Sequence, residues 1–431
     1  MMRRKASFEI IDVSLCKQQM LNWANRFSIC CFMDSCNYQN AHSRFDCLVA
    51  AGADVICLPQ NNKLQQLKTF TQTHTDWLFG HIGYDLKNEI ETLSSRHSDK
   101  LLFPDLFFFQ PQVVMYLQSS VLTIESLREE PEDIYKMLIE FSTQHDILLN
   151  QKIHLQSRVD KEIYIKIISQ LRQHILRGDC YEINFCQEFF SEAATIHPLQ
   201  IYKQLSRLSP SPFSAYYKLN DKYALCTSPE RFLQKKKTRL ISQPIKGTVK
   251  RNLTDKIDDN ALKQQLTNSA KDKIENVMIT DLVRNDLSKI CKRGSVEVTE
   301  LFGIYSYPQV HQMITTVEGE ADAQINIADV LQALFPMGSM TGAPKRKVMQ
   351  LIEQYEHSKR GLYSGSIGYI TPENDWDFNV VIRSILYNES NRYLSFQTGG
   401  AITFGSDAEE EYEECLLKAE AMRKALNIYN V

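Results

Sequence analysis

Alternating apolar stretches and helix-period stretches follow one another along this chain without the regular strand–helix–strand alternation of a doubly wound parallel sheet. That pattern predicts an α+β fold. In the first third, short strand candidates cover Phe27 to Phe32 and Asp54 to Leu58, and Trp77 to Asp85 reads as a strand and then a turn. Leu106 to Leu117 reads as an apolar, aromatic-rich strand pair around Pro111. Glu129 to Ile153 is polar and reads as a link between two halves, a helix followed by an extended segment. Beyond it, Ile163, Ile167, Ile168, Leu171 and Ile175 recur at helical spacing, and Gly178 stops the helix. Strand candidates follow at Tyr181 to Phe190, Phe213 to Leu219 and Tyr223 to Thr227, with a basic turn at Lys235 to Lys237. A long helix is expected over Ala261 to Ile290 and a β-branched strand over Val310 to Glu318. Helices at Ile327 to Leu334 and Ala343 to Tyr355 precede strands at Gly365 to Ile370, Phe378 to Tyr387 and Tyr393 to Phe404. Asp407 to Asn427 reads as a closing helix.

The 431 residues are 43% hydrophobic and 23% charged, enough material for a large core. The net charge of −3 gives no basic field for nucleic acid or an anionic membrane, so an anionic ligand must be held by a local site. No apolar run approaches the ~20 residues of a membrane helix. The basic start Met1 to Lys5 is followed by Glu9 and Asp12, which leaves no signal-peptide core. Eleven cysteines at irregular spacing, with no zinc-type pairs, read as reduced thiols, and a cytoplasmic protein is expected. There is no dinucleotide-binding glycine pattern in the first third.

Five short constellations, and a smaller sixth, carry candidate chemistry. In the closing helix, capped by Ser406 or Asp407, Glu411, Glu414 and Lys418 share one face that borders the stripe Tyr412, Cys415, Leu416 and Ala419. Two carboxylates there suit a hard divalent cation and the lysine an anion, although an acidic helix start also simply complements the macrodipole. In Glu275 to Leu287, Glu275 lies beside the apolar positions Ile274 and Met278, so a cation or partner is expected for it. Asp281, Arg284 and Asn285 at i, i+3 and i+4 suit a structural ion pair.

In Ser228-Pro229-Glu230-Arg231-Phe232, a glutamate in a tight, partly apolar turn suits a general acid of raised pKa; the alternative is a Glu–Arg surface turn. In Pro244-Ile245-Lys246-Gly247-Thr248, Lys246 is a nucleophile if its pKa is lowered, and otherwise a solvated surface group. Gly338 to Lys345 reads as a loop at a helix start whose backbone N–H groups can hold a carboxylate. Thr398-Gly399-Gly400-Ala401-Ile402 permits close backbone approach to a ligand, or is a strand bulge.

Taken together and in this order, the motifs resemble the chorismate-binding enzymes, which include anthranilate synthase large subunits, aminodeoxychorismate synthase component I, and isochorismate and salicylate synthases. The likeness covers about residues 155 to 427, with looser matches at Ser43-Arg44-Phe45-Asp46 and Gly83-Tyr84-Asp85-Leu86. The resemblance implies a two-sheet sandwich with helices outside, residues 1–150 forming its N-terminal part and 151–431 the catalytic region. It implies Mg²⁺ held by Glu275, Glu411 and Glu414, and enolpyruvyl carboxylate binding by Arg383 and Tyr363. It further implies carboxylate contacts from Lys418, Gly399 and Gly400, a substrate-loop hydroxyl at Thr341, a substrate-adjacent His311, and Glu230 as the acid that protonates the departing C4 hydroxyl.

Two positions bear on the product. Isochorismate and salicylate synthases carry a base lysine where this chain has Glu182, so water-adding chemistry is disfavoured; aminating members usually carry glutamine there, so Glu182 departs from both. Anthranilate synthases typically have alanine where this chain has Lys246, and the aminodeoxychorismate branch has the lysine, as a nucleophile at C2. The resemblance therefore implies amination at C4 with the pyruvyl group retained, a step toward para-aminobenzoate and folate. The chain shows no cysteine in a glutaminase-like motif, so a separate glutamine amidotransferase subunit is expected to supply ammonia. The runner-up is an anthranilate synthase component I, whose feedback motif Phe32-Met33-Asp34-Ser35 would match only at its serine. A non-catalytic binding module is disfavoured by intact Glu230, Lys246, Glu275, Glu411 and Arg383.

Overall fold

The computed structural model describes residues 3–38, 42–140, 153–307 and 309–428. Its strands form two antiparallel layers joined through one long strand, Leu106–Gln118. That strand pairs with Cys47–Cys57 on one edge and with Leu78–Ile82 and then Val121–Ser126 on the other. One layer continues through Ile29–Asp34, Phe213–Leu219, Lys222–Ser228, Ser384–Asn388 and Tyr393–Ile402 to Glu182–Ser191. The other runs from Leu78–Ile82 through Ser366–Ile370, Trp376–Asn379, Arg231–Lys236 and Arg239–Gln243 to Val310–Glu320, which also pairs with Ile245–Lys250 and Glu297–Ser306. The α+β two-layer reading is the observed fold.

The first layer is buried on both faces, and the side-chain period of two divides it cleanly. Cys31, Tyr217, Ala224, Cys226 and Cys186 point between the layers, where they meet Phe79, Phe108, Leu233, Trp376 and Phe378. Their neighbours Cys30, Phe32, Tyr216, Leu225 and Phe185 point outward to Met20, Tyr164, Leu205 and Met422 on the covering helices. On Glu182–Ser191 the same alternation puts Glu182 and Asn184 on the inter-layer side with Cys186.

Several expected boundaries move. The segment around Pro111 is one continuous strand: Pro111 stands opposite Ala53, where the partner strand bulges, so its missing N–H breaks no regular ladder. Asp54 to Leu58 is the end of the longer strand Cys47–Cys57. Lys235 lies inside a strand and donates to the Asn374 carbonyl, so the turn is confined to Lys237 and Thr238, with Lys237 at φ of 58°. The long helix over Ala261 to Ile290 is two, Lys256–Asn268 and Ala270–Ser288, divided at Ser269, whose side chain caps the second by accepting from the Asp272 N–H. Phe378 to Tyr387 is two strands separated by Val380–Arg383. The helix Pro131–Glu140 opens the expected polar link, whose remainder at 141–152 lies outside the described residues.

The site is positioned by the pairing of Glu182–Ser191 with Tyr393–Ile402. At Gly399 the strands crowd: a Cβ there would stand 1.9 Å from the Phe185 carbonyl oxygen. Gly399→Ala is therefore expected to cost more than about 2 kcal/mol through backbone displacement. Gly405, with open space where a Cβ would go, is the control, and G405A should stay within about 0.5 kcal/mol of the parent. Chemical unfolding of the three chains checks this; equal midpoints would show that the crowding is relieved at no cost.

Candidate active site

Lys246 owes its direction to a bulge. Ile245 pairs with Ile314 and Thr248 with Gln312, so three steps on one strand oppose two on the other. Gly247 takes φ of 87° there, and a Cβ on it would meet Asp272 and Leu266 at 2.9 Å. A bulge of this kind re-aims one side chain, and Lys246 ends 12% exposed with Nζ donating to Glu182 Oε1 at 3.0 Å. Burial alone would depress its pKa, but the charges of Glu182 and Glu275 outweigh burial and raise it. The expected lowered pKa is thus not what this charge arrangement gives: Lys246 rests as an ammonium.

Glu230 follows Lys222–Ser228, where the Ser228 hydroxyl accepts from the Glu230 N–H at 3.2 Å. Glu230 and Arg231 are both buried, which rules out the surface-turn reading. Arg231 is the anchor of the turn, paired with Asp377 at 2.9 Å. Burial drives the Glu230 carboxyl up to about 7, with Ser339 and Lys246 pulling the other way. A cavity of about 20 Å³, room for about one water, lies against Glu230, Ser339, Pro244, Met337 and Asp286.

The remaining carboxylates approach from two helices. Asp407 caps the closing helix Ala408–Ala425 by accepting from the N–H groups of Glu409 and Glu410. Glu411, Glu414 and Lys418 share a face as expected, and Gly400 gives them room: a Cβ there would stand 2.9 Å from Glu411 Oε2 and 3.6 Å from Lys418 Nζ. Lys418 donates to the Gly399 carbonyl and pairs with Glu414, both at 2.7 Å. Burial raises the Glu411 carboxyl, whereas Lys418 holds Glu414 down despite its burial.

Glu275 rises to about 7, chiefly by burial and against the pull of Lys246, with the charges of Glu182 and Glu414 adding to the rise. Its burial does not come from Ile274 and Met278, which are exposed, but from the face of Asn276, Ile279 and Thr280. Asp281 and Arg284 form the expected ion pair at 2.9 Å on the open side. Lys271, one turn before Glu275, stands 3.9 Å from Glu411. Among the described residues, no three His, Cys, Asp or Glu side chains form a metal-ligand group, so the three glutamates share a region without closing a ligand set.

Arg383 sits between the two strands of the broken segment, with a left-handed φ of 52°. Burial lowers its pKa, with Tyr363 and Glu414 opposing, and the described residues offer its guanidinium no hydrogen bond or ion pair. A sheltered arginine without a protein partner among the described residues has the planar donor fork that suits an anion. Tyr363 reaches Cys186 Sγ at 3.2 Å. Thr341 is buried, its hydroxyl donating to the Met337 carbonyl at 3.1 Å.

His311 is not drawn to Glu230 or Lys246. Its Nε2 lies 3.1 Å from Asp259 and its Nδ1 2.9 Å from Ser306 Oγ. Lys345, at the end of the glycine loop, turns away to Asp286 at 2.6 Å.

Two supports escaped the sequence reading. Arg360 pairs with Glu356 and donates to the carbonyls of Met340 and Asn184 at 2.7 and 2.9 Å, tying the Gly338–Thr341 turn to the Glu182 strand. The signal was a Glu–Arg pair at i, i+4 just before Gly361-Leu362-Tyr363. Lys271 was legible only as a helical neighbour, four residues before Glu275.

The family model for chorismate binding enzymes matches residues 30–424. The chain belongs to the chorismate binding enzyme family. It is 32% identical over 363 residues to aminodeoxychorismate synthase component 1 of Bacillus subtilis (strain 168), covering 81% of this chain and 76% of that one. Against the protein of the same name from Escherichia coli (strain K12) the identity is 33% over 350 residues, with 80% and 76% covered. Among solved structures, anthranilate synthase component I from Streptococcus pneumoniae superposes with a TM-score of 0.76 at 24% identity, covering 89% of this chain and 93% of that one. That likeness bears on the fold.

Glu230 gives a test with two readouts. Its folded pKa of about 7 exceeds its ordinary 4.5, so the stability gained from the proton is complete below about 4.5 and lost as pH rises through about 7. Glu230→Gln mimics the protonated carboxyl. It should raise the unfolding free energy at pH 8, by on the order of 3 kcal/mol, with little change at pH 4.5. If Glu230 is the general acid that the resemblance implies, kcat of the variant should fall roughly 10²- to 10⁴-fold. Equal stability at both pH values would mean that Glu230 is not desolvated.

Proposed function

We propose that the protein is the synthase subunit of an aminodeoxychorismate synthase, converting chorismate and ammonia into 4-amino-4-deoxychorismate, with residues 151–431 as its catalytic region. The observation that carries this reading is Lys246: a lysine aimed by a bulge into a buried carboxylate cluster, beside a carboxyl held up to about 7. The names of the Bacillus subtilis and Escherichia coli relatives support the same product.

Chorismate is a dianion, and two regions here suit its two carboxylates. Arg383, with Tyr363 beside it, receives the enolpyruvyl carboxylate. Glu275, Glu411 and Glu414 fit Mg²⁺: they offer hard oxygen donors, and the burial that raises Glu275 and Glu411 shows carboxyls short of positive charge. Bound there, the ion supplies charge neutralisation for the ring carboxylate. Lys418, fixed by Gly399 and Glu414, adds a cation at the same end.

Glu230 gives its proton to the departing C4 hydroxyl, and its raised pKa keeps that proton in place near neutrality. The Lys246 lone pair forms a bond to C2 as the C4 hydroxyl leaves; ammonia then bonds at C4 and expels the lysine, and the pyruvyl group stays on. A separate glutamine amidotransferase subunit supplies the ammonia, and the protein acts in the cytoplasm. No described helix is long and apolar enough to cross a membrane.

Incubated with chorismate, Mg²⁺ and an ammonium salt, the purified chain should yield an aminated product that retains the pyruvyl group by mass. Lys246→Ala should lower that rate by at least about 10²-fold. Fluorescent anthranilate plus pyruvate from the parent chain would overturn the reading in favour of an anthranilate synthase.

Glutamine in place of ammonium should give no product until a glutaminase subunit is added. Turnover of glutamine by the chain alone would refute the two-subunit reading.

A further inference from the structure

Glu182 is the unused group of this site. It opens the Glu182–Ser191 strand, faces between the layers, and is 3% exposed. Its Oε1 accepts from Lys246 Nζ at 3.0 Å, and its Oε2 is buried with no hydrogen-bond partner. A buried carboxylate oxygen without a donor is costly, so its retention calls for a reason beyond packing. Substrate binding does not supply one, because a second anion beside a dianion repels it.

We propose that Glu182 is the proton acceptor for Lys246, the group that frees the lysine lone pair for attack. This rests on the reading of Lys246 as the nucleophile. Among the described carboxylates around Nζ, Glu182 alone hydrogen-bonds to it. Glu230 has to hold its own proton, and Glu275 and Glu414 belong to the cation-binding set.

The step balances within the site. One proton passes from Nζ to Oε1, and its electron pair stays on nitrogen. That pair bonds to C2, and the C4–O bond breaks toward oxygen, which takes the Glu230 proton and leaves as water. Ammonia bonds to C4, the C2–N bond breaks back to Nζ, and the new C4 ammonium returns a proton to Glu230. Glu182 then gives its proton back to Lys246.

A shared proton has a distinctive consequence. While the Lys246–Glu182 pair holds one proton between them, the fraction with the proton on Glu182 does not vary with pH. With glutamine at 182 the lysine proton must leave to solvent, so the reactive fraction rises with pH. The other charged groups facing Lys246 are Glu275 on Ala270–Ser288, Glu230 beyond Lys222–Ser228, and Glu414 on Ala408–Ala425. Lys271 faces the same carboxylates. All are kept in a single substitution, so a change of profile isolates Glu182.

The experiment is the kcat profile of the parent chain and Glu182→Gln from pH 6.5 to 9, with chorismate and Mg²⁺ saturating and free, unprotonated ammonia held constant. Dividing each variant rate by the parent rate at the same pH removes the Glu230 limb common to both. The expected ratio climbs about tenfold per pH unit over the lower part of the range. Glu182→Asp, which restores a carboxylate, should keep the ratio level at a reduced rate. The KM for chorismate should move less than about threefold in either variant. A level ratio for Glu182→Gln would overturn the proposal, leaving Glu182 as a spacer. Should the glutamine variant fail to fold by circular dichroism, Glu182→Ala makes the same comparison. Lys246→Ala run alongside separates the two readings. If it keeps the parent rate, the nucleophile assignment falls and this proposal with it; if it is inactive and the Glu182→Gln ratio is level, only the role of Glu182 falls.

Discussion

Nine register pairs between Glu182–Ser191 and Tyr393–Ile402 hold together everything that the site needs. One strand carries Glu182 on its inner side, and the other carries Gly399 and Gly400 against the closing helix. The glycines are what let this happen. Gly399 allows the two backbones to meet, and Gly400 leaves the volume into which Glu411, Glu414 and Lys418 project. Arg360 and Glu356 then pin the same strand to the Gly338–Thr341 turn, through Asn184, Cys186 and Met340. Ser339, beside the Glu230 carboxyl, therefore sits on a turn indexed to the strand of Glu182. The turn of Ser339 and the strand of Glu182 belong to distant parts of the chain, but their separation is set by hydrogen bonds of 2.7 to 2.9 Å between rigid elements.

The site is an electrostatic liability to the fold, and its charges show it. Glu182, Glu230, Glu275, Glu411 and Glu414 face Lys246, Lys271, Lys418 and Arg383 in surroundings that exclude much of the water. Where a carboxylate has a close cation, as Glu414 has Lys418, its proton is given up readily. Where the nearby cation pulls less than burial pushes, as Lys246 does on Glu230 and Glu275, burial wins, and both hold their protons up to about 7. Both layers supply dense apolar packing around this cluster, and that packing carries the destabilisation the cluster causes. A net charge of −3 gives no hint of such local concentration.

Much of this was legible from residues alone, because period and capping are local. The closing helix, its Asp407 cap and its shared carboxylate face follow from spacing, as does the strand from Glu182. What was not legible depended on contacts between distant segments. The break at Ser269 has no glycine or proline to announce it, and the cap forms only once the second helix turns. Glu275 was read beside the apolar positions Ile274 and Met278, yet those are exposed and the buried face carries Asn276, Ile279 and Thr280, where Thr315 on a neighbouring strand reaches Asn276. His311 was carried over from the resemblance, whereas its ring is held by Asp259 and Ser306, partners that no local pattern reveals. The bulge that aims Lys246 is a matter of register between two strands more than 60 residues apart, with Gly247 as its only local trace.

The charge states of Glu230 and Lys246 set the order of events. Desolvation acts on both, and it favours the neutral form of each. For Glu230 nothing nearby overrules it, so the acid is ready in the resting protein. For Lys246 the Glu182 and Glu275 charges do overrule it, so the amine stays charged. The lysine that could attack solvent species or stray electrophiles is thereby kept as an ammonium until the carboxylates around it are engaged. On the proposed function, such a site commits its lysine only when it is filled, with five buried or half-buried glutamates, Glu182, Glu230, Glu275, Glu411 and Glu414, gathered around its cations.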